Sequence, residues 1–81
     1  MDVLYFAWVR ERIGLPKERV ETTASPVAAL VDELRARGDR YYVAFYGLSA
    51  LSVAVDQELT DFDASIAGAR EVAFFPPMTG G

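Results

Sequence analysis

The spacing of apolar and polar positions changes several times along the chain, and each change predicts a new element. Residues 3–9 read Val-Leu-Tyr-Phe-Ala-Trp-Val, rich in β-branched and aromatic side chains, and stop at Arg10-Glu11-Arg12. That run predicts a central strand, with Val3, Tyr5, Ala7 and Val9 on one face and Leu4, Phe6 and Trp8 on the other. Gly14-Leu15-Pro16 marks a turn, and residues 17–23 alternate charge with Val20 and Thr22, as a half-exposed second strand of a hairpin would. Ser25 is a favourable N-cap and Pro26 suits the first helical position, where its missing N–H is not needed. Val27, Leu30, Val31 and Leu34 then recur at i, i+3, i+4 and i+7, predicting one long helix to about Arg37 that Gly38 ends.

Residues 39–46 fit a strand or a short helix, and the short helix is the preferred reading. The helical reading has Asp39 as cap and turns Tyr42, Phe45 and Tyr46 inward. Leu51, Val53 and Val55 alternate with small residues as a strand does, followed by a turn at Asp56-Gln57-Glu58. A further turn is expected at Ser65-Ile66-Ala67-Gly68. The last strand is Glu71-Val72-Ala73-Phe74-Phe75, closed by Pro76-Pro77, which cannot donate to a ladder. This order is an α+β layout with a helix covering one face of a mixed sheet.

With 81 residues, 52% of them apolar and 25% charged, the chain is a single globular domain. A domain this small buries only about 60% of its extended surface, which leaves little room for a catalytic cavity. The chain has no Cys and no His, which removes disulfides, thiol nucleophiles, His bases and Cys-type zinc sites. Its Ser and Thr hydroxyls have no base beside them. The net charge of −4 argues against nucleic acid and anionic membranes, and points to a protein partner. The N-terminus lacks the pattern of a signal peptide or a span, so a cytoplasmic chain is expected.

The C-terminus carries the remaining chemistry. After Phe74-Phe75-Pro76-Pro77 come Met78-Thr79-Gly80-Gly81, with no apolar pattern to hold them down, so the expected division is a domain at residues 1–76 and an extended tail at residues 77–81. From Pro76 onward the chain could reach roughly 20 Å at about 3.3 Å per residue, enough to enter another protein's active site. Gly80 and Gly81 carry no side chains, so the tip can thread a narrow channel and deliver only the α-carboxylate. A carboxylate is a poor electrophile, so a partner enzyme must first activate it. The competing reading is a frayed end with no role.

Three stretches give the chain a resemblance to a known family across nearly its whole length. They are Val3-Leu4-Tyr5-Phe6-Ala7-Trp8-Val9-Arg10-Glu11, Val53-Ala54-Val55-Asp56-Gln57-Glu58, and the ending from Glu71 to Gly81, which is the most specific. The chain resembles the small subunit of molybdopterin synthase, a β-grasp (ubiquitin-like) sulfur carrier. The resemblance implies that Gly81 is adenylated with ATP by an E1-like activating enzyme and then thiocarboxylated, with Gly80 and Thr79 threading the tail. The large subunit, in a heterotetramer, would use that sulfur to build the dithiolene from cyclic pyranopterin monophosphate. It also implies that Phe6, Leu59 and Phe75 dock onto the partners and that the chain holds no metal or cofactor and is not a catalyst alone.

The sequence departs from the family at Asp56, where Asn is usual, and at Ala67-Gly68-Ala69-Arg70, where an Asp-Gly-Asp turn is usual. Three alternatives remain at this point: a carrier of the same fold serving thiamine or tRNA thiolation, a ubiquitin-like modifier, and a plain interaction domain. Large apolar residues such as Phe6, Leu59 and Phe75 are more often core than interface. Asp61 and Asp63 read as solvated turn residues, and Arg10 and Arg12 as strand flanks.

Overall fold

The structure is a computed structural model that describes residues 1–46 and 50–76. In chain order the elements are β1 (Asp2–Tyr5), α1 (Ala7–Ile13), β2 (Lys17–Arg19), α2 (Val27–Arg35), α3 (Asp39–Ala44), β3 (Ser52–Val55), β4 (Glu58–Thr60) and β5 (Glu71–Phe75). The strands form one mixed sheet in the order β2-β1-β5-β3-β4. β1 and β5 run parallel at its centre, with Val3 opposite Val72 and Tyr5 opposite Phe74, and the other pairings are antiparallel. The first and last strands are thus parallel neighbours, as the β-grasp expectation requires.

The first apolar run divides. β1 ends at Tyr5 and the chain turns into a helix at Ala7, so Ala7, Trp8 and Val9 belong to α1 and not to a strand. Val9 and Ile13, four apart, are the buried stripe of this short helix, and Gly14 closes it with φ 92 and an N–H donated to the Arg10 carbonyl. Seven residues show too little of a 3.6-residue period to stand out from an apolar strand. With α1 interposed, β1 and β2 pair antiparallel, but no tight hairpin joins them, and β2 stops at Arg19.

α2 starts at Val27 with no side-chain cap. Its first N–H groups are met by main chain, since Val27 N–H donates to the Ala64 carbonyl and Ala28 N–H to the Phe62 carbonyl. The Ser25 hydroxyl instead accepts from Ile66 N–H at 3.2 Å. The predicted stripe holds, with Val27, Leu30, Val31 and Leu34 fully buried, though α2 ends at Arg35 and Gly38 precedes α3 as its N-cap. Residues 39–44 are helical as read, but only Phe45 of the three aromatics turns inward, because Tyr42 and Tyr46 stay exposed. The turn after β3 is two residues, Asp56 and Gln57, both with positive φ, and Glu58 already belongs to an edge strand that the sequence reading missed.

Two features hold the layers together. Tyr5, Phe45 and Phe74 form an aromatic cluster between sheet and helices, with Phe45 edge-on to Phe74 at 5.0 Å between ring centres. Beside it, Glu18 on β2 accepts hydrogen bonds from the Tyr5 hydroxyl (2.8 Å), the Tyr41 hydroxyl (2.8 Å) and the Arg37 guanidinium (2.7 Å). One carboxylate thereby ties an edge strand to the turn after α2 and to α3.

Two predictions follow from this packing. Phe74→Ala removes the ring that Tyr5 and Phe45 pack on and should cost about 3–5 kcal/mol in urea denaturation. Burial, then the hydrogen bond to Glu18, raises the Tyr5 phenol above its ordinary value, and burial raises Tyr41 in the same direction. A raised folded-state value means the stabilisation is complete below the unfolded value of about 10 and is lost as pH climbs beyond it. The urea midpoint should therefore hold up to about pH 10 and fall above it, with a shallower fall in Tyr5→Phe; an unchanged alkaline slope in that variant would contradict the assignment.

Candidate functional site

The sheet has two unlike faces because side chains alternate along each strand. Val3, Tyr5, Val53, Val72 and Phe74 point towards the helices and are buried. The other face has no helix over it. Across it run rows set by the register: Lys17, Leu4, Ala73, Ala54 and Leu59 lie side by side in one, and Phe75 lies opposite Ser52 in the next.

Phe6 joins the second row. Its backbone is extended and its N–H donates to the Phe74 carbonyl at 3.1 Å, continuing the β1–β5 ladder one residue beyond Tyr5. Ala7 then adopts φ 53, a left-handed conformation that costs an L-residue on the order of 1 kcal/mol, and this corner turns the chain away so that Phe6 stays beside Phe75. Phe6 is 45% exposed, Phe75 is half-buried, and Leu59 on the edge strand is 73% exposed. Phe6 and Phe75 are neighbours on adjacent strands. Leu59 lies two strands from Phe75's strand, roughly 10 Å at about 4.8 Å per strand, across small Ala54.

The faces assigned to Leu4 and Phe6 agree with the sequence reading. Trp8 does not belong to this surface, since it packs partly buried against the core with the Arg12 guanidinium 4.5 Å from its ring centre. Among the described residues, further exposed apolar side chains occur at Leu15 and Val43, which the sequence reading did not single out, and at Tyr42 and Tyr46, which it turned inward. Tyr42 and Val43 share the short helix α3 with buried Ala44, Tyr46 follows it, and aromatics are ordinarily read as core.

The two departures from the family pattern are structurally satisfied. Asp56 Oδ1 accepts from the N–H groups of Arg70 (2.9 Å) and Glu71 (3.0 Å), so its side chain fixes the entry to β5. Gly68 has φ 75 in the neighbouring turn, where a side chain would be strained. Asp61 Oδ1 accepts from Asp63 N–H, a local turn bond in keeping with the solvated reading of both.

Gly81, Gly80 and Thr79 lie outside the described residues, which reach Pro76 directly after the last strand. A cleft of about 420 Å³ lined by Val20, Thr22, Ile66 and Gly68, and one of about 350 Å³ lined by Met1, Asp2, Arg19 and Arg70, lie at the opposite end of β1 and β5 from Phe75. In the first, the Thr22 hydroxyl donates to the exposed Glu33 carboxylate, so the expectation that no hydroxyl has a base beside it does not hold for Thr22. Among the described residues no three acidic side chains gather as a metal site, and no helix is long and apolar enough to cross a membrane.

Comparison with known proteins adds the following. The sequence profile of the ThiS family matches residues 3–81. The molybdopterin synthase sulfur carrier subunit of Escherichia coli K12 is 42% identical over 81 residues, covering all of this chain and 99% of that protein. The protein of the same name from Haemophilus influenzae Rd is 35% identical with the same coverage. Among solved structures, SAMP1 from Haloferax volcanii superposes with a TM-score of 0.74 at 23% identity, covering 100% of this chain and 98% of that one, a likeness of fold.

Because Leu59 contributes nothing to the core, Leu59→Ser should change the unfolding free energy by less than about 0.5 kcal/mol. Thermal denaturation checks this, and a larger loss would show that Leu59 is structural.

Proposed function

The chain belongs to the ThiS family, and from that membership we propose that it is the sulfur carrier subunit of a molybdopterin synthase. The observation that carries the reading is identity of 42% and 35%, over the full chain, with two proteins of that name. The sequence supports it with the Gly80-Gly81 terminus, and with the complete lack of Cys and His that leaves the terminal carboxylate as the group able to take up sulfur.

In this reading the chain is a protein co-substrate. A Gly81 carboxylate oxygen attacks the α-phosphorus of ATP on an E1-like activating enzyme, releasing pyrophosphate and leaving an acyl-adenylate. A sulfur nucleophile displaces AMP and the terminus becomes a thiocarboxylate. On the large subunit, in a heterotetramer, the sulfur passes to cyclic pyranopterin monophosphate while the oxygen of water restores the carboxylate. The chain holds no cofactor or metal of its own, ATP being consumed by the activating enzyme, and works in the cytoplasm.

What the fold contributes is delivery. Phe6, Phe75 and Leu59 dock on the partner, Pro76 leads out of β5 at the edge of that surface, and Thr79 and Gly80 thread the tail so that Gly81 arrives without a side chain to clash.

Intact-mass spectrometry tests the chemistry. With ATP, an activating enzyme and a sulfur donor, the protein should gain the mass difference between one sulfur and one oxygen, located on the C-terminal peptide. Deleting Gly81, or adding one residue after it, should leave the fold intact and abolish the gain. Sulfur transfer that survives either change would sink the reading.

A further inference from the structure

The charge of the chain is unevenly placed. Residues 1–46 hold seven basic and seven acidic side chains, whereas residues 50–76 hold Asp56, Glu58, Asp61, Asp63 and Glu71 against Arg70 alone. The whole net charge of −4 therefore belongs to β3, β4, β5 and their connections. The ion pairs among the described residues, Arg19–Glu21 and Arg37–Glu18, both lie in the balanced part, so none of these five carboxylates is held in one and Arg70 is the one basic side chain in their segment. This excess surrounds the most exposed apolar side chain described: Leu59 follows Glu58 on β4, Asp56 occupies the turn before it and Asp61 follows the strand. Glu71 continues the charge along the open face, opposite Asp2 in the parallel register.

An exposed apolar residue ringed by one sign of charge is complementary to an apolar patch ringed by the other. We propose that the surface covering Leu59 and the open face belongs to a protein partner, the large subunit of the synthase, whose rim against β3 and β4 is rich in Lys and Arg. The inference rests on the proposed function for the partner's identity. It adds the sign of the partner's charge and a role for it: the acidic end sets the orientation of encounter, so that Phe6 and Phe75, beside the origin of the tail, arrive facing the partner. Within about 10 Å at moderate salt such a field is felt, and beyond that it is screened, so encounter and not final packing is what it governs.

The test is the association rate with the large subunit of molybdopterin synthase from the same organism, measured by stopped flow from low to high ionic strength. Two variants each remove three carboxylates: Glu58→Gln/Asp63→Asn/Glu71→Gln at the acidic end, and Glu11→Gln/Asp32→Asn/Asp39→Asn on the helices. Circular dichroism confirms that both fold. For the wild type the rate should fall about tenfold with rising salt. The acidic-end variant should be about tenfold slower at low salt, with a flat salt profile, while the helix variant keeps the wild-type slope. Equal effects of the two variants, or a wild-type rate indifferent to salt, would overturn the proposal while leaving the carrier reading standing. A large subunit that binds neither wild type nor variants, or binds Leu59→Ser as tightly as wild type, would overturn the docking surface on which both depend.

Discussion

Parallel pairing of the first strand with the last is the constraint on which the rest depends. β1 and β5 are joined side by side through Val3–Val72 and Tyr5–Phe74, with almost the whole chain lying between them in sequence. Such a pairing cannot be closed by a short turn; the intervening chain must cross over, and here it does so through α1, β2, α2, α3, β3 and β4. Placing β5 in the centre, with β1 on one side and β3 on the other, makes it a rigid base: Val72, Ala73 and Phe74 are paired on both sides, and Phe75 with Ser52. The proposed delivery of the terminus into another protein calls for such an anchor, since imprecision in the launching strand would be carried along the tail.

The helices make that ladder hold. One face of the sheet is buried by α2 and by the aromatic cluster of Tyr5, Phe45 and Phe74, which joins β1, β5 and the end of α3 in one contact group. The Tyr5 hydroxyl then reaches Glu18, so the same side chain that packs on Phe74 also bonds the edge strand β2 and, through Glu18, the Arg37 and Tyr41 side of the helical layer. A carboxylate receiving three hydrogen bonds is well satisfied in a place where an unpaired charge would be costly. The opposite face of the sheet has no helix over it and is the face proposed for recognition.

Recognition and chemistry are thus separated. The proposed docking residues sit on the rigid sheet or at its corner, the reacting group is proposed at the chain end, and the acidic charge proposed to orient encounter is gathered at the β3–β4 end. In the proposed reading the reactive bond is made and broken in sites that the partners supply.

Much of this was legible in the sequence. The α2 stripe, β3, β5 and the helical character of residues 39–44 follow from local periodicity, and the missing Cys and His directed attention to the terminus by elimination. The likeness of three stretches to the sulfur carrier family supplied the fold, and the expectation that Phe6, Leu59 and Phe75 dock on partners. What escaped depended on contacts distant in sequence. α1 was hidden because Ala7, Trp8 and Val9 are apolar in either state, and only packing against α3 and the end of the sheet selects a helix. β4 is three residues long, and its one apolar side chain points to solvent, so no alternation announces it. Ser25 gave up its capping role because carbonyls of Phe62 and Ala64, nearly forty residues away, already satisfy the start of α2. Glu18 looked like an ordinary surface charge until the fold brought Tyr5, Tyr41 and Arg37 around it. The sequence by itself determined which side chains could be buried and which chemistry was absent; the tertiary structure decided which partners each group met, because hydrogen bonds and packing between distant segments exist only once the sheet has closed.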